Sequence, residues 1–378
     1  MIYFDNAATT LQKPECVAEA VCLAMHSLGN SGRGAYDASL EAVRSIHEVR
    51  EAAAALLGAS GPSRIAFTKN ATEALNMAIK GLAGPKDHVI TTVLEHNSVL
   101  RPLYELEAEG TRLSFLPCDS KGRLCLEQLE EQLGPDTRAV VCTHVSNLTG
   151  NVTDAEKIGA FCRKHGLLFI LDASQSAGVL EVNMERLQAD VICFTGHKSL
   201  FGPQGTGGLC VREGVEFPPM LSGGSGSHSY DHRQPSRMPD RLEAGTLNGH
   251  GLAGLKAGIE FVQRTGLERI RAREQKLVHR FCRGLQDIRE IRIYGDVWSK
   301  YHTGIVALNL GDHDSARVSD ELAVRFGIAT RPGAHCAPLM HQALGTERQG
   351  AVRFSFSWFN TEDEIDEGIR ALRQLAEE

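Results

Sequence analysis

The chain has 378 residues, 42% hydrophobic and 23% charged, with a formal net charge of −7. That length supports more core than a single hydrophobic cluster usually spans. Scattered Lys and Arg in an acidic chain give no footprint for nucleic acid, and no apolar run approaches the roughly 20 residues of a membrane helix. The opening Met1–Asp5 has neither a basic region nor a signal-like apolar segment, so a cytoplasmic location is expected. The ten cysteines, Cys16, Cys22, Cys118, Cys125, Cys142, Cys162, Cys193, Cys210, Cys282 and Cys336, include no Cys-x-x-Cys pair. Free thiols are expected, with Cys142 and Cys193 in the core.

In chain order, an extended segment to Pro14 precedes a helix from Glu15 to about Leu28, and Gly29-Asn30 stops it. A longer helix runs from about Ser39 to Leu57 and ends at Gly58. Arg64–Thr68 reads as a strand, and Asn70 opens a helix. Strands recur at Asp87–Thr92, Arg112–Pro117, Ala139–His144, Leu167–Asp172, Asp190–Phe194 and Gly207–Val211, with helical patterns in many gaps. Alternating strand and helix predicts an α/β fold with a mainly parallel sheet. Pro218–Pro239, rich in Gly and Ser, has little to bury and reads as a mobile loop. Ala253–Arg283 reads as a long helical region. Short strands at Thr303–Leu310 and Ala351–Ser357 precede an acidic helix from Thr361 to Glu378.

Two strand ends carry chemistry. Leu167–Leu171 is an apolar run that ends in Asp172 and then Ala173-Ser174-Gln175-Ser176. Ligands of open α/β sheets bind beyond the carboxyl ends of the strands. Asp190–Phe194 is a second such run, followed by Thr195-Gly196-His197-Lys198 and a Gly/Pro loop to Gly205. A lysine fixed there is a reactive amine toward carbonyl compounds, pyridoxal phosphate (PLP) included. Alone, Lys198 reads as a surface lysine and Asp172 as a helix cap. Together they point to a PLP site, with the carboxylate at the pyridine nitrogen. Gly202, Gly205, Gly207 and Gly208 lack dinucleotide-binding spacing. Neither His228 with His232 nor His335, Cys336 and His341 has the spacing of a closed zinc site, so no metal is expected.

These motifs, with Tyr3–Thr10 at one end and Arg353–Thr361 at the other, resemble class V (fold-type I) PLP enzymes, specifically the cysteine desulfurase and selenocysteine lyase family. The loop Arg331-Pro332-Gly333-Ala334-His335-Cys336-Ala337 resembles that of the second desulfurase group, with Ala334 where that group commonly has another histidine. The resemblance implies a large PLP-binding domain, residues 15–250, with a mainly parallel seven-stranded sheet. Residues 1–14 and 251–378 would form a small α+β domain that carries the cysteine loop.

The resemblance also assigns roles. Lys198 would carry the cofactor and act as base. Ala71, Thr72, Thr195 and His197 would hold its phosphate, helped by the free N–H groups and dipole of the helix opened at Asn70. Thr246 would reach the phosphate of a partner subunit, so a homodimer is expected. His96 would stack on the ring and move protons, and Asn147 and Gln175 would contact the ring hydroxyl. Arg353 would clamp the substrate carboxylate, with Asn30 and Arg33 nearby. Cys336 would be the nucleophile, as a thiolate. The implied reaction takes L-cysteine to L-alanine and passes the sulfur through a Cys336 persulfide to an acceptor protein or a reductant. Three alternatives remain: a selenocysteine lyase, a class V aminotransferase or lyase that does not use the cysteine, and a non-catalytic sulfur-relay component. No membrane or nucleic-acid partner is implied.

Overall fold

Strands whose successive residues are all apolar need cover on both faces, and the sheet of this chain has it. The computed structural model describes residues 1–31, 34–226 and 229–378; Arg33 and His228 lie outside them. The chain opens with β1 (Ile2–Tyr3), α1 (Glu15–Ser27) and α2 (Asp37–Leu57). Next come β2 (Ile65–Thr68), α3 (Ala71–Leu82), β3 (His88–Thr92), α4 (Asn97–Ala108), β4 (Arg112–Leu116), β5 (Thr137–Thr143), α5 (Ala155–His165), β6 (Leu168–Asp172), β7 (Val191–Thr195) and β8 (Gly207–Val211). The last part holds α6 (Gly249–Thr265), α7 (Leu267–Leu285), β9 (Ile291–Tyr294), β10 (Ile305–Leu310), α8 (Ser315–Phe326), β11 (Ile328–Ala329), α9 (Pro338–Leu344), β12 (Val352–Ser355) and α10 (Glu362–Ala376).

Seven strands form the main sheet in the order β2-β8-β7-β6-β5-β3-β4. It is parallel except at β8, which runs antiparallel to both β7 and β2. Alternate residues enter opposite cores. Val140, Cys142, Phe169, Leu171, Ile192 and Phe194 pack with α2, α5 and α6. Val141, Ile170, Val191 and Cys193 pack with α3 and α4. Cys142 and Cys193 are fully buried.

The parallel strands end together at one edge. His96 follows β3, Thr143 and Asp172 end β5 and β6, and Thr195 ends β7. Lys198 lies in the connection from β7 to β8. Because these neighbours are antiparallel, the chain turns back at once, and Lys198 stays at that edge.

The long helical region expected over 253–283 consists of two helices. Gly266 sits between α6 and α7 with φ +90°, a backbone state that a side chain would strain. Leu252, Leu255 and Ile259 of α6 pack in the core of the main sheet. Leu277, Val278 and Phe281 of α7 join a separate core with Phe4, Val306, Phe354 and Leu372. That core covers a three-stranded antiparallel sheet, β12-β10-β9. β1 pairs with β11 in parallel, which brings the first residues of the chain to this body. Residues 218–239 carry no helix or strand among those described. Gln234 ties part of this stretch down, accepting from Gly223 N and donating to the carbonyls of Asp240 and Glu243. No helix among the described residues is long and apolar enough to cross a membrane.

Candidate active site

A cavity of about 240 Å³ opens at the carboxyl edge of the main sheet. Ala71, Thr72, His96, Asn147, Asp172, Gln175, Thr195, His197, Lys198 and Arg353 all line it. These candidates come from separate strand ends and loops, so only the fold brings them together. Asn30 and Thr246 are exposed and do not line this cavity. Cys336 is partly buried and does not line it either, although its neighbour His335 does.

One end of the cavity is built to hold an anion. Asn70 caps α3 by accepting from Glu73 N at 3.0 Å, which leaves the first N–H groups of that helix without helical partners. Ala71 and Thr72 are its first two residues. Gly207 lets the neighbouring strand come close, since a Cβ there would lie 2.7 Å from the Asn70 backbone. Thr195 Oγ1 is buried and has no hydrogen-bond partner among the described residues. A phosphate fits an orphaned hydroxyl beside a helix N-terminus.

Asp172 is 4% exposed and accepts from Ser174 N at 2.9 Å. Burial lowers the Lys198 amine to about 8, and the cationic Arg353 and Arg331 push the same way; Asp172 and Asp5 pull back. The N-terminal segment fixes the lysine loop, with Thr10 Oγ1 donating to the Lys198 carbonyl at 3.0 Å. Thr10 N donates to the His197 carbonyl at 3.1 Å.

The lining histidines are neutral. Burial and then Lys198 lower both His96 and His197 to about 4. His96 Nδ1 accepts from Ser98 N at 3.0 Å, which places the ring proton on Nε2. Lys198, Arg331 and Arg353 therefore outnumber the lining carboxylate Asp172, even with Asp5 pairing Arg353 from behind the lining. Such a site suits a ligand that carries a phosphate and a carboxylate.

Arg353 is 2% exposed. Its Nη1 donates to the Asn147 carbonyl at 3.0 Å and its Nη2 to Asp5 Oδ1 at 2.8 Å, while Nε has no partner. Asn147 Nδ2 donates to the His335 carbonyl at 2.7 Å, and Gln175 Nε2 to the Ala7 carbonyl at 2.9 Å. One N–H of each amide is thus spent on backbone. Arg331, Ser98, Asp5 and His335 carry no assigned role in the sequence reading. Arg331 and His335 stand in the recognised cysteine loop and Asp5 in the opening motif, so the signal was position within those motifs.

The aminotransferase class-V model matches residues 2–367. The chain belongs to this family. The probable cysteine desulfurase of Methanothermobacter thermautotrophicus is 35% identical over 99% of this chain and 94% of that protein. Probable cysteine desulfurase 1 of Mycobacterium leprae is 35% identical over all of this chain, which spans 62% of that longer protein. The apo structure of cysteine desulfurase from Thermococcus onnurineus NA1 superposes with a TM-score of 0.93 at 36% identity, covering 100% of this chain and 94% of that one. Class V is a PLP-dependent family, and the fold-type I architecture is the one described above.

Proposed function

We propose that this class V chain is a PLP-dependent cysteine desulfurase, taking L-cysteine to L-alanine and leaving the sulfur on Cys336 as a persulfide. The observation that carries the reading is the convergence of Lys198, Asp172 and Arg353 on one pocket beside an anion cradle. Ala71, Thr72, Thr195 and His197 would hold the PLP phosphate, and Lys198 the cofactor itself. Thr246, exposed and outside this pocket, would serve the site of a partner subunit in a homodimer. The small domain would begin at Gly266 rather than near residue 251, because α6 packs on α1 and α2.

Bound there, PLP supplies an electron sink for bond changes at the substrate α-carbon. Arg353 binds the substrate carboxylate through N–H groups aimed from a rigid strand. Lys198, with its amine near 8, is unprotonated often enough at neutral pH to take the α-proton. Asp172 would hold a proton at the cofactor's ring nitrogen. His96 presents Nε2–H to the pocket. The Cys336 thiolate attacks the substrate sulfur; an S–S bond forms as the carbon–sulfur bond breaks, and the three-carbon fragment takes up one proton at Cβ and regains one at Cα to become alanine. An acceptor protein or a reductant then removes the sulfur.

Cys336→Ser tests the assignment. The variant should keep the yellow cofactor and lose sulfide release from cysteine in the presence of a reductant. Full sulfide release would remove Cys336 from the mechanism. One observation favours L-selenocysteine as a second substrate: Cys336 stands beside the pocket rather than in its lining, and selenium leaves with less help from a thiol.

A further inference from the structure

The cysteine loop holds two successive residues in a conformation that neither favours. His335 has φ +51° and Cys336 φ +55°. Non-glycine residues rarely adopt the left-handed state, and two in a row persist only where the surroundings hold them. Ala337 N donates to the Ala334 carbonyl at 2.9 Å and closes a turn around the pair, and three further hydrogen bonds hold it. Asn147 Nδ2 donates to the His335 carbonyl at 2.7 Å. Asn97 N, in the first turn of the helix that His96 caps, donates to the Cys336 carbonyl at 2.8 Å. The third bond comes from within the loop, between His335 Nε2 and the Arg331 carbonyl at 2.9 Å.

A carbonyl only accepts, so His335 carries a proton on Nε2, and burial, which lowers the ring to about 3, leaves Nδ1 bare. The same Arg331 carbonyl accepts from Arg353 N at 2.8 Å. His335 is 4% exposed, and its ring stacks on His341, with centroids 5.9 Å apart and planes at 12°. His335 therefore ties the cysteine to the strand that carries Arg353, and its carbonyl ties it to Asn147.

We propose that His335 is a positioning residue for the sulfur step: through the Arg331 carbonyl it locks Cys336 in the left-handed state that presents the thiol to the substrate sulfur. This rests on the desulfurase reading above. The role belongs to the ring N–H, not to general acid–base chemistry: that proton is committed to a carbonyl, and the unpartnered Nδ1, lowered by burial to about 3, is a poor base.

The test compares His335→Leu, which fills the space but cannot donate, with His335→Gln, whose amide N–H stands as far along the side chain as the ring Nε2–H. Three readouts are needed on holoenzyme of each: turnover of L-cysteine, turnover of L-selenocysteine, and alkylation of Cys336 by iodoacetamide followed by mass spectrometry. With Leu, kcat on cysteine should fall about tenfold, the scale of one lost hydrogen bond, with KM and the cofactor spectrum unchanged. Selenocysteine turnover should fall far less, and Cys336 alkylation should slow. Gln should restore most of each loss. Equal losses on both substrates, or wild-type alkylation and kcat in the Leu variant, would overturn the proposal. A wild-type chain that makes no alanine from cysteine defeats the desulfurase reading instead, and the alkylation comparison still decides the role of His335.

Discussion

Asp5 Oδ1 accepts from Arg353 Nη2 at 2.8 Å, joining residues 348 apart in sequence. The guanidinium is almost wholly buried, and this is the carboxylate that compensates its charge. Burial lowers the Arg353 pKa, and Asp5 raises it back toward the charged form. Removing one member of a buried pair leaves the other uncompensated. Asp5→Ala should therefore cost roughly 2–4 kcal/mol in denaturant unfolding of the cofactor-free protein, below the full buried-pair figure because Asp5 is partly exposed. Asp5→Asn should cost less, since its amide oxygen still accepts. A loss below about 0.5 kcal/mol for Ala would show that the pair contributes little.

Arg353→Lys keeps the charge but loses the planar fork. The KM for cysteine should rise about 10- to 100-fold, the scale of a charged hydrogen bond, with the cofactor absorbance unchanged. Steady-state kinetics check this. An unchanged KM would place the substrate carboxylate elsewhere, with Arg331 the next cation in the lining.

The Lys198 amine stands near 8 against an ordinary 10.5. The folded state thus disfavours the charged amine. That cost is fully present below pH 8 and vanishes as pH rises to 10.5, where the unfolded amine also loses its proton. Lys198→Met should stabilise the cofactor-free protein at pH 7, by up to ~3 kcal/mol. The gain should shrink as pH climbs above 8. Thermal unfolding at pH 7 and 9.5 measures it, and a gain that does not depend on pH would refute the electrostatic cause.

Glu95 lies beneath the site, fully buried, with Oε1 bonded to Thr92 Oγ1 and Thr143 N and Oε2 without a partner. Burial raises its carboxyl to about 8. Between pH 4.5 and 8 the folded chain keeps a proton that the unfolded chain releases, so its stability falls as pH rises through that window. Glu95→Gln should match the wild type near pH 4.5 and exceed it progressively up to pH 8. Parallel stability curves for the two proteins would show Glu95 ionised in the fold.

The sequence made the strand ends visible because each chemical residue follows an apolar run. Asp172 and Lys198 were readable in this way, and so was the parallel sheet that aligns them. The break at Gly266 was not, because helical periodicity continues on both sides of a single glycine, and the sequence does not show its φ of +90°. The Asp5–Arg353 pair and the His335 tether were also hidden. Both depend on contacts between segments hundreds of residues apart or on backbone state, neither of which a local pattern records. The same limit applies to Asn147, whose side chain is partly spent on the His335 carbonyl.

The most direct measurement incubates the PLP-loaded protein with L-cysteine, without reductant, and follows alanine together with the intact mass of the peptide that carries Cys336. The account predicts alanine and one added sulfur on Cys336 in equal amounts in the first turnover, with sulfide appearing once a reductant is added. Alanine without sulfur on Cys336, or no alanine at all, would contradict it.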